Sequence, residues 1–147
     1  MSFRVLVVED EFSFRLALEV HIEQTIEDAE VLSLSGDPGE VDDYFHSARR
    51  PQLAIVDLQL PSGTGFDPDG GFRIVERIRV LDETIPVIVL TIRNDSDAET
   101  QASNHPSIRY LVTKPWNPEQ LTDFINRCRN GEATGLTVIG SPGEFSR

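Results

Sequence analysis

Short apolar runs rich in β-branched residues recur along the chain, and stretches with helical spacing separate them. Residues 3–8 (FRVLVV) are too brief for a helix and end on acids, which predicts a buried strand. Residues 12–26 read as a helix, with Phe14, Ala17, Leu18 and Ile22 at helical spacing. Residues 31–34 predict a second strand stopped by SGDPG, and residues 41–48 a short helix. The third apolar run, QLAIVDL at 52–58, is interrupted by Asp57. Ile74, Val75, Ile78 and Leu81 mark a helix over 72–81, and PVIVLT at 86–91 a fourth strand. The next helix, within 95–107, has only Ala98 and Ala102 as apolar contacts and is expected to be short or mobile. Residues 108–113 predict a fifth strand. Asn117 then caps the last helix, with Pro118 at its first position and Gln120 three residues after the cap. Leu121, Phe124, Ile125 and Cys128 follow at i, i+3, i+4 and i+7, which places Cys128 in the core rather than among reactive thiols.

Five β–α alternations predict an α/β fold, a parallel sheet with helices on both faces. Past Gly131 the periodicity ends and Gly, Ser and Pro increase, so residues 1–131 are expected to form the domain and 132–147 a tail or the start of a linker. The GLTVIG within that tail has the makings of a short strand, with nothing in the sequence to fix where it docks.

A chain of 147 residues holds one domain with a sizeable core. Its formal charge of −12 argues against a nucleic-acid footprint, which needs a basic face, and favours a cation or a partner with a basic patch. The single cysteine excludes an internal disulfide and a Cys-rich zinc site. There is no apolar run of membrane-spanning length and no secretory signal at the N-terminus, so a cytoplasmic protein is expected.

In an open parallel sheet, ligands bind beyond the carboxyl ends of the strands where the strand order reverses. The first strand ends in Glu9-Asp10-Glu11, the third in Asp57, the fourth in Thr91 and the fifth in Lys114. Carboxylates about 5 Å apart repel by roughly 3 kcal/mol per pair at an effective dielectric near 20. Such a group is relieved by protonation or by a hard divalent cation, and Mg2+ suits carboxylates, carbonyls and phosphate oxygens. A cation beside an aspartate, a hydroxyl and an ammonium suits phosphoryl transfer onto the aspartate. Lys114 is the only lysine among thirteen Lys and Arg residues. Its compact ammonium on a flexible stem fits a phosphate-binding role that the planar fork of arginine would crowd. The Lys114–Pro115 bond is expected to be cis, turning the chain out of the strand.

Glu9-Asp10, Asp57 with the following LQLP and a later glycine, Thr91, and Lys114-Pro115 together resemble the receiver domain of two-component response regulators, over about residues 3–130. The resemblance implies a flavodoxin-like doubly wound (βα)5 sheet of strand order 2-1-3-4-5. It implies Asp57 as phosphoacceptor, assisted by Thr91 and Lys114. It also implies that Mg2+ (or Mn2+) is held by Asp10, Asp57, the backbone carbonyl of Gln59 and, mostly through water, Glu9. A sensor histidine kinase or a histidine phosphotransfer protein would supply the phosphoryl group, and a downstream protein or linked output domain would read the rearranged surface of the fourth helix, fifth strand and fifth helix.

Four features depart from the family pattern. The aromatic usual three residues before the lysine is replaced by Leu111, with Tyr110 expected on the opposite face of its strand. Ile92 stands where a small residue usually follows the threonine, and is expected to restrict access to Asp57. The segment GFDPDGG inserts about six residues, 66–71, as a surface loop, or as a gate or partner contact. The fourth helix is weak. Besides a phosphoacceptor switch with no external substrate, two readings stay open: a binding module that keeps the fold without using phosphate, and an aspartate-nucleophile phosphatase. The phosphatase usually has a second acid two residues after the nucleophile, where this chain has Gln59.

Overall fold

A computed structural model of the chain describes residues 2–47, 49–62, 65–67, 69–92 and 95–140, with the backbone alone at 38, 47, 61–62 and 65–67. The elements run β1 (Phe3–Val8), α1 (Phe12–Thr25), β2 (Ala29–Leu34), α2 (Pro38–Ser47), β3 (Leu53–Asp57), β4 (Leu60–Ser62), β5 (Gly65–Asp67), α3 (Gly70–Leu81), β6 (Val87–Thr91), α4 (Ser96–Ser103), β7 (Ile108–Thr113), α5 (Pro118–Arg129) and β8 (Thr137–Ile139). The main sheet is parallel throughout, in the order β2-β1-β3-β6-β7-β8. The expected five-strand order is therefore present and carries one strand more. That sixth strand is the segment expected to be tail: Thr137, Val138 and Ile139 pair with Tyr110, Leu111 and Val112.

Burial follows the strand alternation. Leu6, Val8, Ala54, Val56, Val87 and Val89 face a core closed by α2, α3 and α4. Val5, Val7, Leu53, Ile55, Ile88 and Leu90 face a second core under α1 and α5. β1 and β3 are buried on both faces, which explains why their sequences show unbroken apolar runs instead of alternation. The β6–β7 register shifts between Val87 and Ile88, so Ile108 and Tyr110, two residues apart, serve opposite cores.

The expected cap of α5 is present: Asn117 accepts the backbone N–H of Gln120 at 2.9 Å. α1 has a cap not foreseen, the Glu11 carboxylate accepting the N–H of Phe14 at 2.9 Å. The buried residues of α1 are Leu18 and Ile22. Phe14 and Ala17, expected on that same stripe, are exposed instead. α4 is short, as its two alanines imply, and both are fully buried. The insertion begins in a strand: Leu60–Ser62 and Gly65–Asp67 pair antiparallel as a separate two-stranded sheet. Whether residues 66–68 gate the site or touch a partner turns on side chains outside the described residues. Among the described residues, no helix is long and apolar enough to cross a membrane.

Cys128 is 8 % exposed on α5, and burial pushes its thiol up to about 12. A thiol held in its neutral form away from solvent is a poor nucleophile. In the native protein Cys128 will therefore stay unmodified by a thiol-reactive disulfide reagent at pH 8, and will react fully once urea unfolds the chain; rapid native labelling would contradict this.

Candidate functional site

The sheet order reverses beside β1, between β2 on one side and β3 on the other, and the polar residues collect at the carboxyl ends of these central strands. Glu9 and Asp10 follow β1 directly, Asp57 ends β3, Thr91 ends β6, and Lys114 follows β7. The backbone joins the last two: the Lys114 N–H donates to the Thr91 carbonyl at 2.7 Å. The Lys114–Pro115 bond is cis, as expected.

Asp57 is 6 % exposed and Glu9 1 %. Acids so deeply placed need partners, because an isolated buried carboxylate costs several kcal/mol. Lys114 supplies both, its Nζ lying 3.1 Å from Glu9 Oε1 and 3.4 Å from Asp57 Oδ1. The Gln59 N–H donates to Asp57 Oδ1 at 3.3 Å, and the Arg15 guanidinium donates to the Glu9 carbonyl at 3.1 Å. One ammonium between two buried carboxylates leaves net negative charge. Burial, then the neighbouring Asp57, raise Glu9 to about 7 despite Lys114. Asp10 is exposed, and partial desolvation followed by the Glu9 charge raise it too.

Carboxylate oxygens of Glu9, Asp10 and Asp57 all lie within 4.8 Å of one another. This hard, all-oxygen donor set suits Mg2+ or Mn2+, and the absence of His and Cys from it does not suit zinc. Of Gln59, the peptide N–H contacts Asp57. Thr91 is fully buried. All the residues singled out by sequence are thus at one end of the sheet.

The crevice depends on close backbone packing. α3 begins against the end of β3, with the Gly71 N–H donating to the Leu58 carbonyl at 2.7 Å. A Cβ on Gly71 would sit 2.4 Å from the Asp57 carbonyl oxygen and 2.6 Å from Leu58 Cα. Only glycine lets the helix start there.

Ile92, expected to restrict access to Asp57, is 65 % exposed beside the buried Thr91. One expectation near the site is corrected. Phe14, which spacing placed in the core, is 51 % exposed and sets its ring 4.6 Å from Lys114 Nζ. No sequence signal links Phe14 to a residue a hundred positions away; only the fold brings them together. Leu111 and Tyr110 do lie on opposite faces, Leu111 in the core under α4 and Tyr110 stacked on Phe124 with centroids 4.1 Å apart.

Comparison with known proteins agrees with the geometry. Residues 5–126 match the family model described as the response regulator receiver domain. The transcriptional regulatory protein PhoP of Escherichia coli K12 is 34 % identical over 121 residues, covering 80 % of this chain and 48 % of that protein. The virulence transcriptional regulatory protein PhoP of Salmonella typhimurium LT2 is 32 % identical over 118 residues with the same coverage, so the chain spans about half the length of these relatives. Among solved structures, the isolated REC domain of RcsB from Salmonella enterica serovar Typhimurium, in the presence of phosphomimetic BeF3−, superposes with a TM-score of 0.75. That match has 19 % identity and covers 93 % of this chain and 94 % of that one. The response regulator DrrB of Thermotoga maritima gives 0.73 at 23 % identity, covering 93 % of this chain and 57 % of that one. With five ordered site positions at the strand ends and a family match over most of its length, the chain belongs to the receiver domains of two-component response regulators.

Proposed function

We propose that this receiver is a phosphoacceptor switch in which Asp57 takes a phosphoryl group from a sensor histidine kinase or a histidine phosphotransfer protein. The observation that carries the reading is the position of Asp57, nearly buried, 3.4 Å from the ammonium of Lys114 and joined by two further acids. An Asp57 carboxylate oxygen attacks the donor phosphorus. The new O–P bond forms as the bond from phosphorus to the imidazole nitrogen breaks, and the imidazole leaves with that electron pair and takes a proton from solvent. Glu9, Asp10, Asp57 and the Gln59 carbonyl would hold Mg2+ or Mn2+, which when bound offsets the charge of the transferring oxygens. Lys114 does the same from the other side, and the Thr91 hydroxyl donates to a phosphoryl oxygen.

The acyl phosphate adds about 1.5 to 2 negative charges beside Thr91 and Lys114. Their shared backbone hydrogen bond ties the ends of β6 and β7, so re-pairing of either side chain is felt at α4 and α5. With Leu111 packed under α4, switching works through the short helix α4 rather than through an aromatic rotamer. The protein works in the cytoplasm and turns over no external substrate, only its own slow phosphorylation and dephosphorylation. A downstream protein or a linked output domain reads the state. The charge of −12 leaves direct nucleic-acid contact to that partner.

Incubation with Mg2+ and acetyl phosphate will add the mass of one phosphoryl group to the intact protein, and Asp57→Asn will abolish it. No adduct and no metal binding would favour a phosphate-independent binding module. Turnover of phosphate esters would favour a phosphatase, against which the neutral Gln59 stands.

A further inference from the structure

We propose that Phe14 is a positioning residue for Lys114: its ring face holds the ammonium over Asp57 while the ammonium exchanges a carboxylate for a phosphoryl oxygen. This rests on the phosphoacceptor reading and concerns a residue outside the family's motif positions.

An ammonium has three N–H donors. Two groups that face Lys114 Nζ are the carboxylates of Glu9 and Asp57, at 3.1 and 3.4 Å. The third is the Phe14 ring, whose centroid is 4.6 Å away, well inside the range at which a cation is attracted to an aromatic face. The Lys114 side chain is only 10 % exposed, so water competes little with that attraction. Phe14 itself is 51 % exposed, so core burial does not account for an aromatic at this position. Its backbone is fixed independently of the ring, because the Glu11 cap takes the Phe14 N–H in the first turn of α1. The ring is therefore presented to Lys114 by a rigid helix end.

The three partners differ in what phosphorylation does to them. Asp57 becomes an acyl phosphate, and Glu9 sits where a cation would claim its oxygens. The ring is neither consumed nor claimed. Among these three contacts of the ammonium it is the one that persists while the other two change, which keeps the charge near the reacting oxygen throughout. Phe12, two residues earlier and 64 % exposed, faces Arg15 instead, with 5.6 Å from the guanidinium carbon to its ring centroid.

The single lysine makes the test direct. With 13C-labelled lysine, the methylene next to Nζ gives one signal, and its protons will be shifted upfield by the ring. The shift will vanish in Phe14→Leu and persist in Phe12→Leu. In Mg2+ and acetyl phosphate, Phe14→Leu will slow phosphoryl uptake about three- to tenfold, and Phe14→Tyr will stay within about twofold of wild type, since tyrosine keeps the aromatic face. In a Lys114→Ala background, Phe14→Leu will change the rate by less than about twofold, because the partner of the ring is gone. An unshifted methylene in the wild type overturns the proposal, as does a leucine variant as fast as wild type or an equal loss in both backgrounds. If the wild type takes no phosphoryl group, the phosphoacceptor reading fails. The lysine signal then decides the contact alone: an upfield shift dependent on Phe14 supports it, and its absence ends the proposal.

Discussion

Gly71→Ala will destabilise the domain by roughly 2–4 kcal/mol and move the urea midpoint accordingly. In an ordinary helix the same change would stabilise by up to about 1 kcal/mol. Here the added methyl group would meet backbone on two sides, the Asp57 carbonyl oxygen at 2.4 Å and Leu58 Cα at 2.6 Å. Neither can rotate away as a side chain would. Either α3 backs off and breaks the 2.7 Å hydrogen bond from Gly71 to Leu58, or the end of β3 moves and takes Asp57 with it. Both routes should also slow phosphoryl uptake. Gly135→Ala is the control: a Cβ there meets nothing within 4 Å, so its midpoint will match wild type. An unchanged midpoint for Gly71→Ala would mean that the junction of β3 and α3 is looser than the structure has it.

Mg2+ will raise the melting temperature, and by more at pH 8 than at pH 5.5. Glu9 has an ordinary value of 4.5 when unfolded and about 7 when folded, raised first by burial and then by Asp57. Between those values the folded state binds the extra proton, so stability is fully present below 4.5 and is lost as pH rises through 7. Asp10 shifts in the same direction. His21 acts oppositely below its ordinary 6.5, because burial lowers it. The difference between wild type and Glu9→Gln cancels the His21 contribution. Without metal, wild type is expected to lose on the order of 5 °C more than Glu9→Gln between pH 5 and pH 8. At pH 8, above its folded value of about 7, Glu9 is mostly ionised and ready for a cation, and metal at a hundred times its dissociation constant contributes about 2.7 kcal/mol. A chelator will reverse the gain. A melting temperature insensitive to Mg2+ at pH 8 would remove the cation from this site.

Most of the site was legible because the chemistry sits at strand ends, and strand ends can be read from where apolar runs stop. Asp57 interrupts such a run, and Lys114 and Thr91 close two others. The order of the strands came from the family resemblance, since apolar runs say nothing about which strand lies beside which. The helices were legible where one face is strongly apolar, as in α3 and α5. α1 misled, because both of its faces carry apolar residues: Phe12, Leu16 and Val20 are exposed while Leu18 and Ile22 are buried. β8 was illegible in register because three residues, TVI, hold too little pattern to name a partner strand. His105 lies in a polar stretch of sequence and stacks on Phe72 with centroids 5.3 Å apart and planes 3° from parallel. Long-range contacts of that kind leave no local trace.

The parallel strand at 137–139 changes where this unit can be cut. With it in place, β7 is an interior strand whose outer amides and carbonyls are satisfied along Tyr110–Val112. A truncation at residue 131 would turn that apolar strand, only a few residues from Lys114, into an open rim able to recruit strands from other molecules. The segment beyond α5 is therefore part of the sheet, with the short, largely exposed β8 and not the apolar β7 at its rim.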